Sequence, residues 1–214
     1  MWENVINFLP LLLEGAVVTL EVTALALLLS TALGLVFALL QLSPWRSVTF
    51  AVRGLVNVLR SLPIVILLFY FYFVMPDVGL NLSAFTAGVL GLGIAYSAYQ
   101  AENFRSGIEA VDRGQREAAQ SIGMKDSLIL RRVILPQAFK IALPPYGNTF
   151  TMILKDSSLV STITVAEMTH AGQMIATSTY QNMTVYTLVA LLYVAMGLPL
   201  LYFVARLEKR FGHR

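Results

Sequence analysis

The sequence contains no cysteine, few histidines and few charged residues. Without cysteine the chain cannot form a disulfide, a thiolate metal site or a cysteine nucleophile, and its two histidines cannot by themselves build a usual zinc site. Charged residues make up only 13% of the 214 residues, whereas hydrophobic residues make up 57%. Soluble domains average about 25% charged residues. The apolar excess is gathered in runs of about 20 residues, which match the hydrocarbon thickness of a bilayer and indicate an integral membrane protein.

Phosphate-binding and export signals are also missing. No G-x-x-x-x-G-K-[ST] motif occurs, so the chain has no phosphate-binding loop of that type. The N-terminal residues lack a positive region and a small-residue cleavage site, so we expect no removable signal peptide. The net charge of +3 comes from basic residues spread over several loops rather than gathered in one stripe, so we expect no nucleic-acid partner.

The apolar residues predict an all-α membrane domain that covers residues 1–214 and crosses the bilayer five times. The second span carries Pro63, and the fourth is expected to break at Pro144-Pro145. Two apolar pieces are too short to span: we interpret Phe8–Leu13 as an interfacial turn and Ser158–Ala166 as a re-entrant or half-helix piece. The five predicted spans run from about Gly15 to Leu40, Leu55 to Met75, Ala84 to Tyr99, Ala138 to Leu154 and Val185 to Ala205.

The positions of lysine and arginine predict the orientation. Fourteen of the 15 lie at three places: in the connection of spans one and two with Arg60 just inside span two, in the connection of spans three and four with Lys140 at the start of span four, and after span five. Lys155 is the exception. Because cytoplasmic loops carry an excess of these residues, the N-terminus is predicted to lie outside and the C-terminus, with Arg214, inside. The connection between spans two and three carries only the acidic Asp77, as expected for an outer loop.

The longest polar stretch, residues 100–137, joins the third and fourth spans. Its apolar positions recur at roughly helical spacing, and Gly114 and Gly123 predict breaks, so we expect short amphipathic helices joined by turns. Gly123 suits a helix C-terminus, where a left-handed residue is often needed. Residues 117–119 form a patch with two alanines that lets another surface approach closely. From composition alone, a solvated loop folded back on the lipid headgroups is an equally good interpretation.

This loop resembles a known motif. Glu117-Ala118-Ala119, Gly123 and Ile134-Leu135-Pro136 are similar to the EAA loop of ABC-importer membrane subunits, usually E-A-A-x3-G-x9-I-x-L-P. The spacing departs slightly, since ten residues separate Gly123 from Ile134 and none separates Ile134 from Leu135. Flanking pieces resemble one branch, the polar amino acid uptake permeases: AYQAE at 98–102, RGQREAA at 113–119, RVILPQA at 132–138, LKDSSLVS at 154–161 and VAE at 165–167.

The resemblance implies a multi-pass subunit of the bacterial inner membrane that is surrounded by membrane lipid and pairs with a copy or a paralogue of itself. It also implies a coupling loop at about residues 105–137, whose short helix, from about Arg116 to Gly123 and including Glu117, Ala118 and Ala119, docks on a separate ATP-binding subunit. That partner would bind ATP and Mg²⁺, so we expect this chain to be no enzyme and to hold no cofactor. An extracytoplasmic amino-acid-binding protein is expected to deliver the substrate.

Polar residues at membrane depth are candidates for the substrate pathway, because charges there are costly and usually functional. The main candidates flank the short apolar piece, where a broken helix would present unpaired backbone groups to an amino acid. Alternatively, Lys155 and Asp156 bond to each other and hold the break. For Glu102, packing against the Arg105 region one helical turn on and a transport role are equally good interpretations. The main candidates are Lys155, Asp156, Ser157, Ser158 and Glu167, and the weaker ones are Pro63, Gln173 and the Tyr96–Gln100 stretch with Gln100.

The sequence leaves substrate and mechanism open. Residues 57–63 and 71–76 look like the glutamate/aspartate permeases, so acidic amino acids or their amides are the leading expectation and basic amino acids the next. An ATP-independent, ion-coupled carrier or channel is the competing hypothesis, motivated by the charges at membrane depth and disfavoured by five spans without an internal repeat. An intramembrane enzyme based on Glu167 and His170 is a weaker alternative, because no nucleophile or metal set completes it.

Overall fold

The chain opens with a helix that is longer than the first predicted span. The computed structural model describes residues 2–211, with side chains for residues 5–210, and α1 covers Trp2–Gln41. His213 and Arg214 therefore lie outside the described residues. The piece Phe8–Leu13 belongs to α1, so the prediction of an interfacial turn is wrong. Phe8 and Leu12 are buried in an apolar cluster with Met168, and this packing keeps the segment helical through Pro10.

The second predicted span is not one straight helix, because the chain turns by 100° at its proline. Pro63 has no amide hydrogen, and a residue that precedes a proline avoids the helical backbone. Leu62 accordingly has an extended backbone with φ −82° and ψ 134°. The prediction of a continuous span from Leu55 to Met75 is thus wrong, since the segment is broken at Pro63. The observed elements are α2 (Arg46–Ser61) and α3 (Ile64–Phe69), the latter continued by a π-helical turn (Tyr70–Val74) and a 3-10 turn (Met75–Val78).

α4 (Ala84–Glu109) begins where the sequence predicts and continues beyond Tyr99 into the polar stretch. It packs closely along α1, since a methyl group on Gly93 would lie 2.6 Å from Leu29, and one on Gly34 would lie 2.5 Å from the Cβ of Gln100. These contacts advance in the same direction along both helices, so α1 and α4 are parallel.

The fourth predicted span is part of a helical segment without a break at its prolines. Pro144 and Pro145 lie inside α7 (Leu135–Asp156), so the predicted break is wrong. Helices in membranes tolerate proline where neighbouring side chains bond the backbone. The carbonyls that lose their amide partner here are those of Lys140 and Ile141, four residues earlier. Next to the prolines, the carbonyl of Pro145 accepts the Asn103 side chain at 3.4 Å and the Thr149 hydroxyl at 3.1 Å, which ties α7 to α4. The elements between α4 and α7 are α5 (Arg113–Ser121), α6 (Asp126–Ile129) and a π-helical segment (Leu130–Ile134).

The last part of the chain contains a helix that the sequence does not predict. A 3-10 helix (Ser157–Ile163) is followed by this short α8 (Met168–Thr179) and by the long α9 (Asn182–Phe211). Left-handed residues precede and follow α8, at Thr164 with φ 66° and Tyr180 with φ 57°. The backbone of α8 approaches α1 closely, because a methyl group on Gly15 would lie 2.8 Å from the Cα of Met168.

Two helices in the described part of the chain are long and apolar enough to cross a membrane singly, at Val5–Gln41 and Asn182–Arg210. The bent pair Arg46–Ser61 and Ile64–Val78 meets the same criterion as a pair. A common core holds α1, α3, α4 and α7 together through Val22, Leu68, Leu92, Tyr96 and Ile153. One side of α9 instead exposes the apolar side chains Leu191, Val194, Leu198 and Leu201, and the last three also line a cavity that α9 shares with Lys155 of α7.

Candidate functional site

The loop between α4 and α7 is organised by the caps of α5. Asp112 accepts the amide of Gly114 at 2.8 Å at the start of the helix. At its end, Gly123 has φ 76°, and the amide of Met124 donates to the carbonyl of Ala119 at 3.1 Å. A left-handed glycine with this bond terminates a helix. Gly123 therefore ends the helix as the sequence predicts, although the helix begins at Arg113 rather than Arg116.

α5 presents nearly all of its side chains to the outside. Of its nine residues only Ala119 is buried, while residues 116–118 are exposed. Arg116 pairs with Asp126 of α6 at 3.2 Å, a solvent-exposed contact between the two helices. Ile122, directly after α5, is an apolar side chain that remains 78% exposed. The loop thus offers a partner a small polar helix with an uncovered isoleucine at its end.

Four side chains from α2, α4 and α7 form a line beside the break between α2 and α3. The guanidinium of Arg60 lies 5.5 Å from the ring centre of Tyr99, and the ring centres of Tyr99 and Tyr96 are 5.7 Å apart. The Tyr96 hydroxyl donates to Oδ2 of Asp156 at 2.5 Å. This Arg60–Asp156 line has a cation at one end and a carboxylate at the other. Arg60 is exposed and Asp156 is half-buried, so both ends are accessible.

Lys155 and Asp156 face different neighbours. Asp156 bonds Tyr96, whereas Lys155 is exposed and lines a cavity of about 270 Å³ between α7 and α9, beside Tyr193 and Gly197. No ion pair joins Lys155 to Asp156 among residues 5–210. The alternative in which these two residues bond to each other is therefore wrong.

Glu167 is fully buried and its carboxylate accepts four hydrogen bonds. Oε1 accepts the amide of His170 at 2.7 Å. Oε2 accepts the amide of Thr169 at 2.9 Å, the hydroxyl of Tyr193 at 3.0 Å and that of Thr19 at 3.3 Å. Glu167 thus caps α8 and joins α1 to α9, and this geometry gives it a structural role.

The other candidates from the sequence are dispersed. Gln100 is buried against α1 and accepts the side chain of Asn103 at 3.1 Å. Ser157 and Ser158 donate to carbonyls of their own helical segment at 2.7 and 2.8 Å, and Gln173 is exposed on α8. Of the sequence candidates, Asp156 belongs to the Arg60–Asp156 line, and Pro63 shapes that line by turning the chain shortly after Arg60.

A second charged cluster lies at the C-terminal ends of α1 and α4. Arg105 pairs with Glu102 at 2.6 Å and with Glu109 at 2.5 Å, which supports the packing of Glu102 near Arg105, one of the two interpretations left open by the sequence. The hydrogen bonds from Arg105 lower the pKa of Glu102 from its usual value, against the opposing effect of partial burial. With Arg53 and Gln41, this pair lines a cavity of about 170 Å³.

Sequence reasoning did not single out Arg60 and ranked Tyr96 and Tyr99 only among the weaker candidates. The two tyrosines are three residues apart, so a helix places them on one face, and that spacing was a usable signal. The sequence does not predict which helices pack against these two tyrosines, because α2 and α7 are distant from them along the chain.

The enzyme alternative gains no support from the site. Glu167 accepts the backbone amide of His170 rather than its ring, so the two side chains form no acid–base pair. The described part of the chain contains no group of three His, Cys, Asp or Glu residues that could hold a metal ion.

Comparison with known proteins identifies the family. Residues 30–213 match the family of the binding-protein-dependent transport system inner membrane component. The chain belongs to this family. It is 38% identical to the probable amino-acid ABC transporter permease protein y4tG of Sinorhizobium fredii (strain NBRC 101917 / NGR234), over 89% of this chain and 83% of that protein. It is 36% identical to the probable glutamine ABC transporter permease protein GlnM of Bacillus subtilis (strain 168), over 92% of each.

A solved structure extends the similarity to the fold. The chain superposes on a subunit of a crystallised amino acid ABC transporter with histidines at a TM-score of 0.93, with 37% identity and 98% of each chain covered. The permease fold therefore includes the bent α2–α3 pair and the short α8, since the match covers nearly the whole chain. The sequence-based assignment to the polar amino acid ABC permeases is confirmed.

Proposed function

We propose that this permease is the membrane subunit of an ATP-driven importer for polar amino acids, and that α5 docks on a separate ATP-binding subunit. The observation that carries the proposal is the shape of α5. It is held by its caps and by the Arg116–Asp126 pair, it buries only Ala119, and it ends beside the uncovered Ile122. A small helix that is rigid but unpacked on its outer side is suited to transmit movement from a partner. Glu117 and Ala118 lie on its exposed side.

The arrangement of the helices supports five crossings with the N-terminus outside. α1, α4 and α9 run in one direction, while α3 and α7 run in the opposite one. An odd number of crossings puts the two termini on opposite sides of the membrane. Arg105, Arg113 and Arg116 then lie at the same end of the bundle as Arg46 and the end of α9, in agreement with the excess of basic residues in cytoplasmic regions.

The Arg60–Asp156 line is the part of the pathway that we propose for substrate contact. Arg60 complements the carboxylate of an amino acid, and Asp156 complements its ammonium group. Because the rings of Tyr99 and Tyr96 lie between Arg60 and Asp156, we propose that one amino acid contacts them in turn as it moves, rather than both at once. Lys155 is exposed with no ion pair to the described residues, and a cation at membrane depth needs a polar surrounding. A facing second copy or paralogue of this permease, or the water-filled pathway between two copies, would supply it.

Among polar amino acids we propose the amides first and those with basic side chains second. One relative is named for glutamine, and the solved transporter is described with histidines. Arg60 and Asp156 complement the carboxylate and the ammonium group, which all amino acids share. The preference for one side chain over another therefore depends on other residues of the pathway and on an extracytoplasmic binding protein. The acidic amino acids expected from residues 57–63 and 71–76 take the third place.

The test is reconstitution of the permease with its ATP-binding subunit and binding protein in liposomes. ATP hydrolysis and uptake of labelled glutamine, histidine, arginine and glutamate would be followed together. Glu117→Lys should lower both activities about tenfold or more while the variant still inserts, because a reversed charge on α5 disturbs docking. Glu14→Lys, an exposed glutamate near the other end of the bundle, is the matched control and should leave both unchanged.

Two outcomes would contradict the proposal. Normal binding and stimulation of the ATP-binding subunit by Glu117→Lys would remove α5 from the contact. Uptake by the permease alone, driven by an ion gradient and indifferent to ATP, would favour the ion-coupled carrier instead.

A further inference from the structure

An apolar groove runs along the surface between α1, α4 and α7. It has a volume of about 710 Å³ and is lined by Leu35, Phe104, Ile108, Leu135, Phe139 and Leu143. Phe139 is 68% exposed and Leu35 is 47% exposed, so the groove opens sideways. It is separate from the Arg60–Asp156 line and from the exposed side of α5.

The lining offers almost nothing to a polar ligand. Thr31 and Tyr146, both in the lining, bond to each other at 3.0 Å, so their hydroxyls are already partnered. Along α7 the groove extends from Leu135 to Tyr146, which corresponds to about 16 Å of helix. One leaflet of a bilayer has about 15 Å of hydrocarbon. The groove therefore has the polarity and the length of an acyl chain in a single leaflet.

Uncompensated positive charge lies at one end of this groove. Arg131 and Arg132 precede Leu135 by about one helical turn in the continuous segment that leads into α7. Both are exposed, and neither pairs with an acidic residue among residues 5–210. Glu109, the acidic residue next to Ile108 of the groove, is already paired with Arg105.

We propose that the groove binds an anionic phospholipid of the cytoplasmic leaflet, with its acyl chain along α7 and its phosphate at Arg131 and Arg132. Basic clusters beside grooves between helices on the cytoplasmic side of a membrane are suited to anionic headgroups. The assignment to the cytoplasmic leaflet rests on the proposed orientation, with the N-terminus outside, whereas the binding site itself does not. The lipid would tie the start of α7 to the end of α1, and both elements flank the loop that carries α5.

Lipid retention on the full transporter tests the headgroup contacts. The complex would be extracted from nanodiscs of phosphatidylcholine with 30% phosphatidylglycerol, about one anionic lipid in three, and analysed by native mass spectrometry. The wild type should retain phosphatidylglycerol in preference to phosphatidylcholine. The double variant Arg131→Gln/Arg132→Gln should retain about tenfold less phosphatidylglycerol. Lys125→Gln, an exposed cation outside the groove, is the matched control and should retain the wild-type amount.

A filled groove tests the acyl-chain contacts. Leu35→Trp places a larger side chain in the groove and should lower retention of both lipids. Leu28→Trp is the matched control, because Leu28 lies on the same helix, is 67% exposed and is outside the lining. A melting temperature in detergent that equals the wild-type value would show that both variants fold.

Three results would overturn the proposal. The first is equal retention of the two lipids by the wild type, and the second is unchanged phosphatidylglycerol in the double variant. The third is a disulfide between two copies through Phe139→Cys, a clean probe in a chain without cysteine, since it would mean that a second copy covers the groove.

Retention is measured without ATP or substrate, so loss of transport alone would count against the proposed function and not against this site. Labelling of Arg131→Cys from the outer side would overturn the orientation and the leaflet.

Discussion

Glu167 and Asp156 are both carboxylates at the ends of helical elements in the second half of the chain, and their surroundings differ. Glu167 is fully buried and accepts four hydrogen bonds, two from backbone amides and two from the hydroxyls of Tyr193 and Thr19. Asp156 is half-buried and accepts a single side-chain hydrogen bond, from Tyr96. The saturated carboxylate holds three helices together, while the other has capacity left for a ligand.

A charged residue at membrane depth is therefore not by itself evidence that it lines the substrate pathway. Buried polar groups whose hydrogen bonds are all made stabilise a fold. The number of hydrogen-bond partners therefore distinguishes these groups from groups that can still bind a ligand. The sequence placed Glu167 and Asp156 in the same list of candidates, because it shows residue type and spacing but not hydrogen-bond partners. Substitutions at the two carboxylates should therefore affect stability and transport differently.

Glu167→Ala should cause the greatest loss of stability. The change removes the acceptor of the amides of Thr169 and His170, both half-buried at the start of α8, and a buried group left without a partner costs about 1–3 kcal/mol. The Tyr193 hydroxyl loses one of its two partners and keeps the hydroxyl of Thr169. We expect a large fall in the melting temperature of the purified complex in detergent and a low yield of folded protein. Glu21→Ala, an exposed glutamate on α1, is the control and should change little. A wild-type melting temperature for Glu167→Ala would show that the hydrogen bonds do not hold α8 in place.

Asp156→Asn should impair transport but not folding. Asparagine keeps the shape and the bond to Tyr96 but loses the charge for a substrate ammonium group, and a charged hydrogen bond contributes about 1.5–3 kcal/mol. We expect uptake in liposomes at low substrate concentration to fall by about tenfold or more, with an unchanged melting temperature. Asp77→Asn, an exposed aspartate far from the line, is the control. If uptake stays normal, the line does not contact substrate.

Gln173→Ala should have the smallest effect. Gln173 is exposed on α8 and is not one of the four residues of the Arg60–Asp156 line, so its replacement should change the free energy of unfolding by no more than about 0.5 kcal/mol. Uptake by reconstituted transporter should remain within about twofold of the wild type. A strong loss of uptake would return Gln173 to the pathway, where the sequence placed it among the weaker candidates.

The effect of the prolines on the helices could not be predicted from the sequence. The sequence predicts that Pro63 lies inside a span and that Pro144-Pro145 breaks one, and the structure has the reverse. All three lack an amide hydrogen, so the local rule is the same. The local rule therefore does not decide the outcome. The helix α7 continues through Pro144-Pro145, where it packs against α4 and α9, whereas Leu62 before Pro63 adopts an extended backbone.

The amino-acid sequence is sufficient to predict the membrane environment, the approximate positions of the apolar segments, the family and the end of α5 at Gly123. These follow from composition, from run length and from residue types at fixed spacing, which are local properties of the chain. Which carboxylates have all their hydrogen bonds filled, and which can still accept one, depends on the packing of the helices. Glu167 meets Thr19, and Asp156 meets Tyr96 and through it Tyr99 and Arg60. Such contacts join residues far apart in the chain, because packing of whole helices, rather than local propensity, brings them together.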